Sequence, residues 1–218
     1  LLPVVRRHGL AGIRWRDAAA RACFGGLGFA LAAEAGFALA PAAHGAVLLH
    51  GSLPLFTFML IRATSRERST LARIIGVLII GGGVLLMAAD SWTHASLRQL
   101  AGDAFLLLAS LLWSAYGVWS RRLGLPPAQG ASIVAVFSMC GFLPVYAALP
   151  GKALFLVGGQ TLLVQAVVQG VLIGAVSIFV YTRAVAALGP ATTALFTAAV
   201  PCVTTVAAIP LLGERPSL

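Results

Sequence analysis

Long apolar stretches, separated by short polar segments, make up most of the chain. Each stretch approaches the ~20 apolar residues that a helix needs to cross the hydrocarbon core of a bilayer. None shows the alternation of apolar and polar residues that a strand of a membrane β-barrel requires. The pattern therefore predicts an all-α integral membrane protein with seven transmembrane helices. These predicted spans cover about residues 21–40, 44–61, 72–89, 102–120, 129–149, 164–187 and 190–212.

The composition agrees with a membrane environment. Of the 218 residues, 60% are hydrophobic and 10% are charged, whereas soluble domains contain roughly 45–50% apolar and about 25% charged residues. We therefore expect membrane lipid around the helices. The three cysteines, Cys23, Cys140 and Cys202, lie inside apolar stretches without metal-ligand spacing. We expect them to be small packing residues rather than disulfide partners, and we expect neither a metal site nor a cofactor.

The net charge of +9 comes mainly from arginines that cluster between the apolar stretches. No basic stretch is interleaved with aromatic residues, so we expect no nucleic-acid partner. Residues 1–20 are basic and only patchily apolar, which predicts a cytoplasmic basic loop. The same side of the membrane then receives Arg21, Arg62, Arg66, Arg68, Arg73, Arg121 and Arg122. The opposite side receives only Arg98, Lys152 and Arg215, a distribution that follows the positive-inside rule.

The sequence repeats itself weakly at an offset of 147 residues. This offset relates Pro54 to Pro201, Thr57 to Thr204 and Glu67 to Glu214. The predicted topology gives the two copies opposite orientations, which is the inverted repeat of many secondary transporters.

A comparison of the copies predicts a unit of five helices. A full span follows Glu67, whereas only four residues follow Glu214. Residues 21–90 would be the last three helices of the first unit, and residues 101–218 the first four helices of the second. We therefore expect a parent protein of about 290–310 residues with ten spans, which is the unit length doubled.

Two segments resemble a known transporter family. "GDAFLLLASLLWSAYGVWSRRL" is similar to the start of a repeat in the EamA-like family of the drug/metabolite transporter superfamily. "YTRAVAALGPATTALFTAAVPCVTTVAAIPLLGERPS" resembles the end of such a repeat, although the first copy carries Arg66 where the second has Gly213. The resemblance implies two inverted five-helix repeats around a central cavity, of which this chain holds helices three to nine. It also implies export of small metabolites across a cell membrane, the inner or plasma membrane of a bacterium.

Glu34 is the only acidic residue well inside a predicted span. The repeat offset relates it to Tyr181, and His50 lies on the next helix at a similar depth, about 9 Å from the outer end of the helix. Such a carboxyl–imidazole pair can bind a proton and couple its movement to that of a solute. The alternative is a structural hydrogen bond between packed helices.

A second pattern also predicts a cavity. His50, Pro54 and Thr57 are spaced by four and three residues, so they share one helical face. The same spacing recurs at Thr197, Pro201 and Thr204. The prolines can kink the helices and expose carbonyl groups towards a cavity, while the alternative role of the threonines is to bond to their own helix backbone.

Trp113 and Tyr116 are further candidates to line the cavity. Together, these features predict a secondary transporter that moves a small metabolite, such as an amino acid or a drug-like solute, by alternating access. A membrane scaffold or sensor without transport activity is the first alternative. An intramembrane enzyme is the second, but its nearest catalytic pair, His50 and Ser52, points apart because helical residues diverge by about 100° per position.

Overall fold

The computed structural model of the chain describes residues 2–10, 12–41, 44–65, 70–92, 96–149, 156–197, 199–200, 202–203 and 206. Regular structure in these ranges is helical throughout, with no strand. The helices are α1 (Leu2–His8), α2 (Trp15–Gly25), α3 (Leu27–Leu39), α4 (Gly45–Gly51), α5 (Leu53–Thr64), α6 (Leu71–Trp92), α7 (Leu97–Leu123), α8 (Pro127–Ala148), α9 (Gly159–Gln165), α10 (Ala166–Ser177), α11 (Ile178–Leu188) and α12 (Pro190–Thr197). Two of them, α4 and α10, are wound as π-helices.

Within the described ranges, five helical stretches are long and apolar enough to cross a membrane, which confirms the all-α membrane architecture. They are Trp15–Leu39, Gly45–Thr64, Leu97–Leu123, Pro127–Ala148 and Gly159–Leu188. The predicted third span corresponds to α6, in which the apolar part that the structure describes, Leu71–Leu86, is shorter. The predicted seventh span is described as a helix only over Pro190–Thr197, so a total of seven spans stays a prediction.

The first spanning stretch begins at Trp15, ahead of its predicted start at residue 21. Residues 1–20 were predicted to be a loop because they are basic and only patchily apolar. In the structure Ala18, Arg21 and Ala22 are all buried on one face of α2, which packs against α7 and α8. Arg21 therefore lies inside the bundle and not in a loop at the membrane surface, where the charge argument placed it.

Helix α7 is the centre of the bundle. It contacts α2, α3, α4, α5, α11 and α12, and small residues allow the closest of these contacts. A Cβ atom on Gly102 would lie 2.7 Å from the backbone nitrogen of Ala40, and one on Gly36 would lie 2.7 Å from the Leu106 side chain. Small residues at helix crossings are typical of membrane bundles, where close backbone approach supplies much of the attraction.

The outward surface of the bundle is strongly apolar. Large exposed side chains include Leu78 and Ile79 on α6, and Leu172 and Ile173 on α10, whose residues are never fully buried. A soluble protein rarely exposes apolar patches of this extent. The three cysteines are free, as expected, but all three are exposed. They therefore do not pack in the core that the structure describes, in contrast to the prediction that they are small packing residues.

Candidate functional site

Four aromatic rings from three helices form a cluster beside α7. The ring centroid of Trp113 lies 4.7 Å from those of Phe29 and Tyr181, and 5.5 Å from that of Tyr116. The Tyr116 and Tyr181 rings are nearly parallel, with centroids 6.0 Å apart. All of these separations fall in the range of attractive aromatic pairs. We call Phe29, Trp113, Tyr116 and Tyr181 the aromatic cluster.

Helix geometry and two glycines position these rings. Trp113 and Tyr116 are three residues apart on α7 and so share one face. A Cβ atom on Gly25 would lie 2.5 Å from the Tyr116 ring, and one on Gly117 would lie 2.7 Å from the Tyr181 hydroxyl. Both distances are shorter than any that a real Cβ atom tolerates. Only glycine therefore fits at either position while the rings keep their places.

The polar end of Tyr116 is bonded to α11. Its hydroxyl lies 2.8 Å from Thr182 Oγ1, which itself donates to the Ile178 carbonyl oxygen at 2.7 Å. Because the Thr182 proton is directed to Ile178, Tyr116 is the donor in the first bond. The guanidinium of Arg21 lies over the Tyr116 ring, with its Cζ atom 5.3 Å from the ring centroid. An aromatic ring attracts a cation in this geometry.

A cleft of about 290 Å³ adjoins this arrangement. It opens between the last turns of α7 and the middle of α11. Its lining residues are Ser120, Arg121, Gly124, Leu125, Thr182, Val185 and Ala186. Thr182 belongs both to this cleft and to the hydrogen bond with Tyr116, so the cleft leads to the edge of the aromatic cluster.

The structure does not join the predicted pair Glu34 and His50. The Glu34 side chain is exposed and makes no hydrogen bond or ion pair with any residue that the structure describes. Helix α3 turns Ala32, Ala33 and Gly36 towards the bundle, and Glu34 lies outside this face. His50 is half-buried and donates from Nδ1 to the Gly45 carbonyl oxygen of its own helix at 3.3 Å. A role for either residue in proton coupling stays a prediction.

The other predicted site residues are not members of the aromatic cluster, and two of them lie outside the residues that the structure describes. Pro54 is in the first turn of α5, where proline is well tolerated because the first amide groups of a helix have no partner. Thr57 is buried on the same helix. Thr197 donates to the Ala194 carbonyl oxygen at 2.6 Å, which is the backbone bond named above as the alternative role. Pro201 and Thr204 lie outside the described residues.

Sequence reasoning missed a polar stripe along α7. Ser52 Oγ lies 2.9 Å from Ser110 Oγ, and Ser114 donates to the Leu53 carbonyl oxygen at 3.2 Å. These bonds attach the junction between α4 and α5 to the central helix. Ser110 and Ser114 are four residues apart in an apolar span, which is a pattern that indicates polar contacts between membrane helices.

A hydrogen bond between His44 and Asp103 was also missed. His44 Nδ1 donates to Asp103 Oδ1 at 2.7 Å, and the carboxylate is almost completely buried. It connects the residue just before α4 to the first turns of α7. His44 and Asp103 lie near the starts of two different predicted spans. Nothing in the sequence indicates that residues at two such helix ends contact each other.

Replacing Asp103 by asparagine should destabilise the bundle. Asparagine keeps an oxygen acceptor for His44 but loses the negative charge, and charge-assisted bonds are about twice as strong as neutral ones. We expect a loss of about 1 kcal/mol in the free energy of unfolding, measured by thermal unfolding of the purified chain in lipid nanodiscs. His44→Asn should cost less in this background than in the unmodified chain, since the charge that strengthens the bond is already gone. Equal and additive losses would contradict the pairing.

Comparison with known protein families gives a match over the second half of the chain. The sequence model of the EamA-like transporter family matches residues 100–218. No curated protein and no solved structure matches the chain. The matched range includes Trp113, Tyr116, Tyr181 and Thr182, whereas Phe29 precedes it.

Proposed function

The chain belongs to the EamA-like transporter family, and from this membership we propose that it is a secondary transporter of a small metabolite. The observation that carries the proposal is the aromatic cluster together with its cleft. Small-molecule sites are concave and mostly apolar, with a few polar groups that fix orientation. Here the rings supply the apolar part, and Thr182 and Ser120 supply hydroxyls at its edge.

The position of the cluster supports alternating access. Phe29 comes from the predicted first unit, while Trp113, Tyr116 and Tyr181 come from the second. In transporters built from inverted repeats, the solute binds at the interface of the repeats and is exposed to each side in turn as they rock against each other. Such a motion would change the positions of the rings relative to each other, because the rings come from both units.

The location of the cleft agrees with the proposed export. Arg121 lines the cleft and Arg122 follows it, and these arginines lie on the side that the positive-inside rule makes cytoplasmic. The cleft would then admit a solute from the cytoplasm. We propose a cell membrane, and a bacterial one, as the location.

Solute flux in sealed vesicles tests this function. The purified chain, reconstituted into liposomes preloaded with a mixture of radiolabelled amino acids and other small metabolites, should release at least one of them faster than protein-free liposomes do. A scaffold or sensor would leave every rate at the protein-free level. An enzyme would change the chemical identity of a solute without moving it, which chromatography of both compartments would detect.

Glu34→Gln should remove the pH dependence of this flux while solute binding is kept. A carboxyl group in an apolar layer binds and releases protons, and glutamine has its shape but no acidic proton. Glu34→Asp is the matched control and should keep the pH dependence, because it remains titratable. The measurement is the rate of release between pH 5.5 and pH 8.5. A Glu34→Gln profile that follows the unmodified chain would show that Glu34 does not couple protons to transport.

A further inference from the structure

Arg21 is a buried cation whose charge has no carboxylate counterpart among the residues that the structure describes. Its side chain is completely buried, and Nε, Nη1 and Nη2 have no hydrogen-bond partner of good geometry among those residues, although the Tyr116 side chain lies close enough to interact. A guanidinium carries five N–H donors. Burying such a group without hydrogen bonds or an opposite charge is strongly unfavourable. The ring of Tyr116 offsets only part of this cost, because a cation–π contact cannot satisfy the donors.

No described carboxylate supplies the missing charge. The acidic side chains that the structure describes are Asp17, Glu34 and Asp103, and the one ion pair among the described residues joins Asp103 to His44. Asp17 lies four residues before Arg21 on α2, a spacing that often produces a pair on a helix surface. Arg21 instead turns into the bundle, away from that partner.

Arg21 lies close to a residue of the cleft. A Cβ atom on Gly130 would lie 2.6 Å from Arg21 Nη2 and 3.5 Å from Thr182 Cγ2, so the guanidinium packs directly against the backbone of α8 at Gly130, with the Thr182 side chain beside it. Thr182 also lines the cleft. Ser120 lines the same cleft, and its buried hydroxyl likewise has no hydrogen-bond partner among the described residues. Thr182 therefore has two residues with unsatisfied donors in its neighbourhood, Arg21 and Ser120.

We infer that Arg21 binds the carboxylate or phosphate group of a small organic anion that enters through this cleft. The planar fork of a guanidinium matches two oxygens of such a group in a bidentate bond. Ser120 donates to the anion in the cleft, and Arg121 at its mouth attracts it. The inference rests on the proposed transport function and names the class of its solute.

Ligand binding to the purified chain tests the inference without transport. In nanodiscs of phosphatidylcholine alone, benzoate and phenyl phosphate are the oxyanion probes, and neutral benzamide has the same ring without the charge. We expect at least one oxyanion to bind, measured by calorimetry and by a rise in the unfolding temperature, and benzamide to bind at least about tenfold more weakly.

Three variants test whether the oxyanion binds at Arg21. Arg21→Gln should lose oxyanion binding, and without ligand it should unfold at the same temperature as the unmodified chain or higher, because an uncompensated charge is removed. Arg21→Lys should keep weaker binding, since a lysine cannot make the bidentate bond. Arg16→Gln is the matched control, an exposed arginine of the same helix, and it should bind as the unmodified chain does.

Three results would overturn the inference. The first is equal binding of benzoate and benzamide, and the second is full oxyanion binding by Arg21→Gln. The third is an Arg21-dependent stabilisation that appears only when phosphatidylglycerol is added to the nanodiscs, which would make a lipid headgroup the anion. Oxyanion binding without flux of any solute would instead contradict the transport function and leave the anion site standing. Flux confined to neutral solutes would contradict the anion site alone.

Discussion

Trp113→Ala should lower the free energy of unfolding by about 3 kcal/mol, the lower end of the range for removal of a large aromatic side chain, because the Trp113 side chain is half-buried. The Trp113 ring is the one that contacts every other member of the aromatic cluster, at centroid distances of 4.7 Å to Phe29 and Tyr181 and 5.5 Å to Tyr116. Its removal leaves a cavity bounded by three rings that belong to three helices. Those rings cannot close the gap without moving the helices. We also expect solute release from liposomes to fall to the protein-free rate.

Two further variants show whether this effect belongs to the aromatic cluster. Trp113→Phe keeps a ring in place and should recover most of the stability. Phe142→Ala is the matched control: its ring pairs with Tyr146 at 5.6 Å, but Phe142 is 40% exposed on the outer surface of α8. Phe142→Ala should lower the free energy of unfolding far less than Trp113→Ala does, and it should leave solute release unchanged. Thermal unfolding in nanodiscs measures the stability of each variant, and equal losses for Trp113→Ala and Phe142→Ala would contradict a central role for the cluster.

Gly25→Ala should destabilise the protein by about 1–3 kcal/mol, the usual cost of forcing an extra group into a packed interior. The new methyl group would lie 2.5 Å from the Tyr116 ring, which is completely buried and bonded through its hydroxyl to Thr182. The ring must therefore shift, and the hydrogen bond to α11 must lengthen or break. Because Arg21 lies on this ring, its position changes too.

Gly82→Ala provides the comparison for Gly25→Ala. Gly82 also lies within a helix, α6, but a Cβ atom there would have no atom within 4 Å. Alanine favours a helix over glycine by about 1 kcal/mol, so Gly82→Ala should leave the unfolding temperature unchanged or raise it. If Gly25→Ala behaved in the same way, the close contact between α2 and Tyr116 would not exist in the folded protein.

The length and apolar character of the helices could be predicted from the sequence, because a bilayer imposes both on every span. The ends of the helices could not. Arg21 looked like a cytoplasmic residue, since a charge usually ends an apolar span. Its burial depends on Tyr116 and Gly130, residues far along the chain. The pair of His44 and Asp103 was hidden for the same reason, since no periodicity connects residues of separate helices.

The candidate site was predictable only in part. Trp113 and Tyr116 were selected together as cavity residues and Tyr181 as the repeat equivalent of Glu34, and the structure brings all three together. Phe29 was not selected, because one phenylalanine in an apolar span carries no distinguishing signal. Glu34 and His50 were paired from their similar depth, but depth does not determine which way a helix face turns. Helix α3 turns its small residues towards α7, and Glu34 is left outside that contact.

Cysteine accessibility at residue 182 tests the central claim, that the cleft and the aromatic cluster are the path of the solute. In a variant without Cys23, Cys140 and Cys202, Thr182→Cys lies on the cleft, whereas Val180→Cys lies on the exposed outer face of the same helix. A water-soluble thiol reagent that cannot cross membranes is added outside sealed vesicles or enclosed within them.

Alternating access predicts that Thr182→Cys reacts from both faces, because water follows the solute path to each side in turn. Val180→Cys should react from neither, since a thiol in lipid does not ionise. Failure of Thr182→Cys to react from either face, or reaction from one face only, would contradict the account.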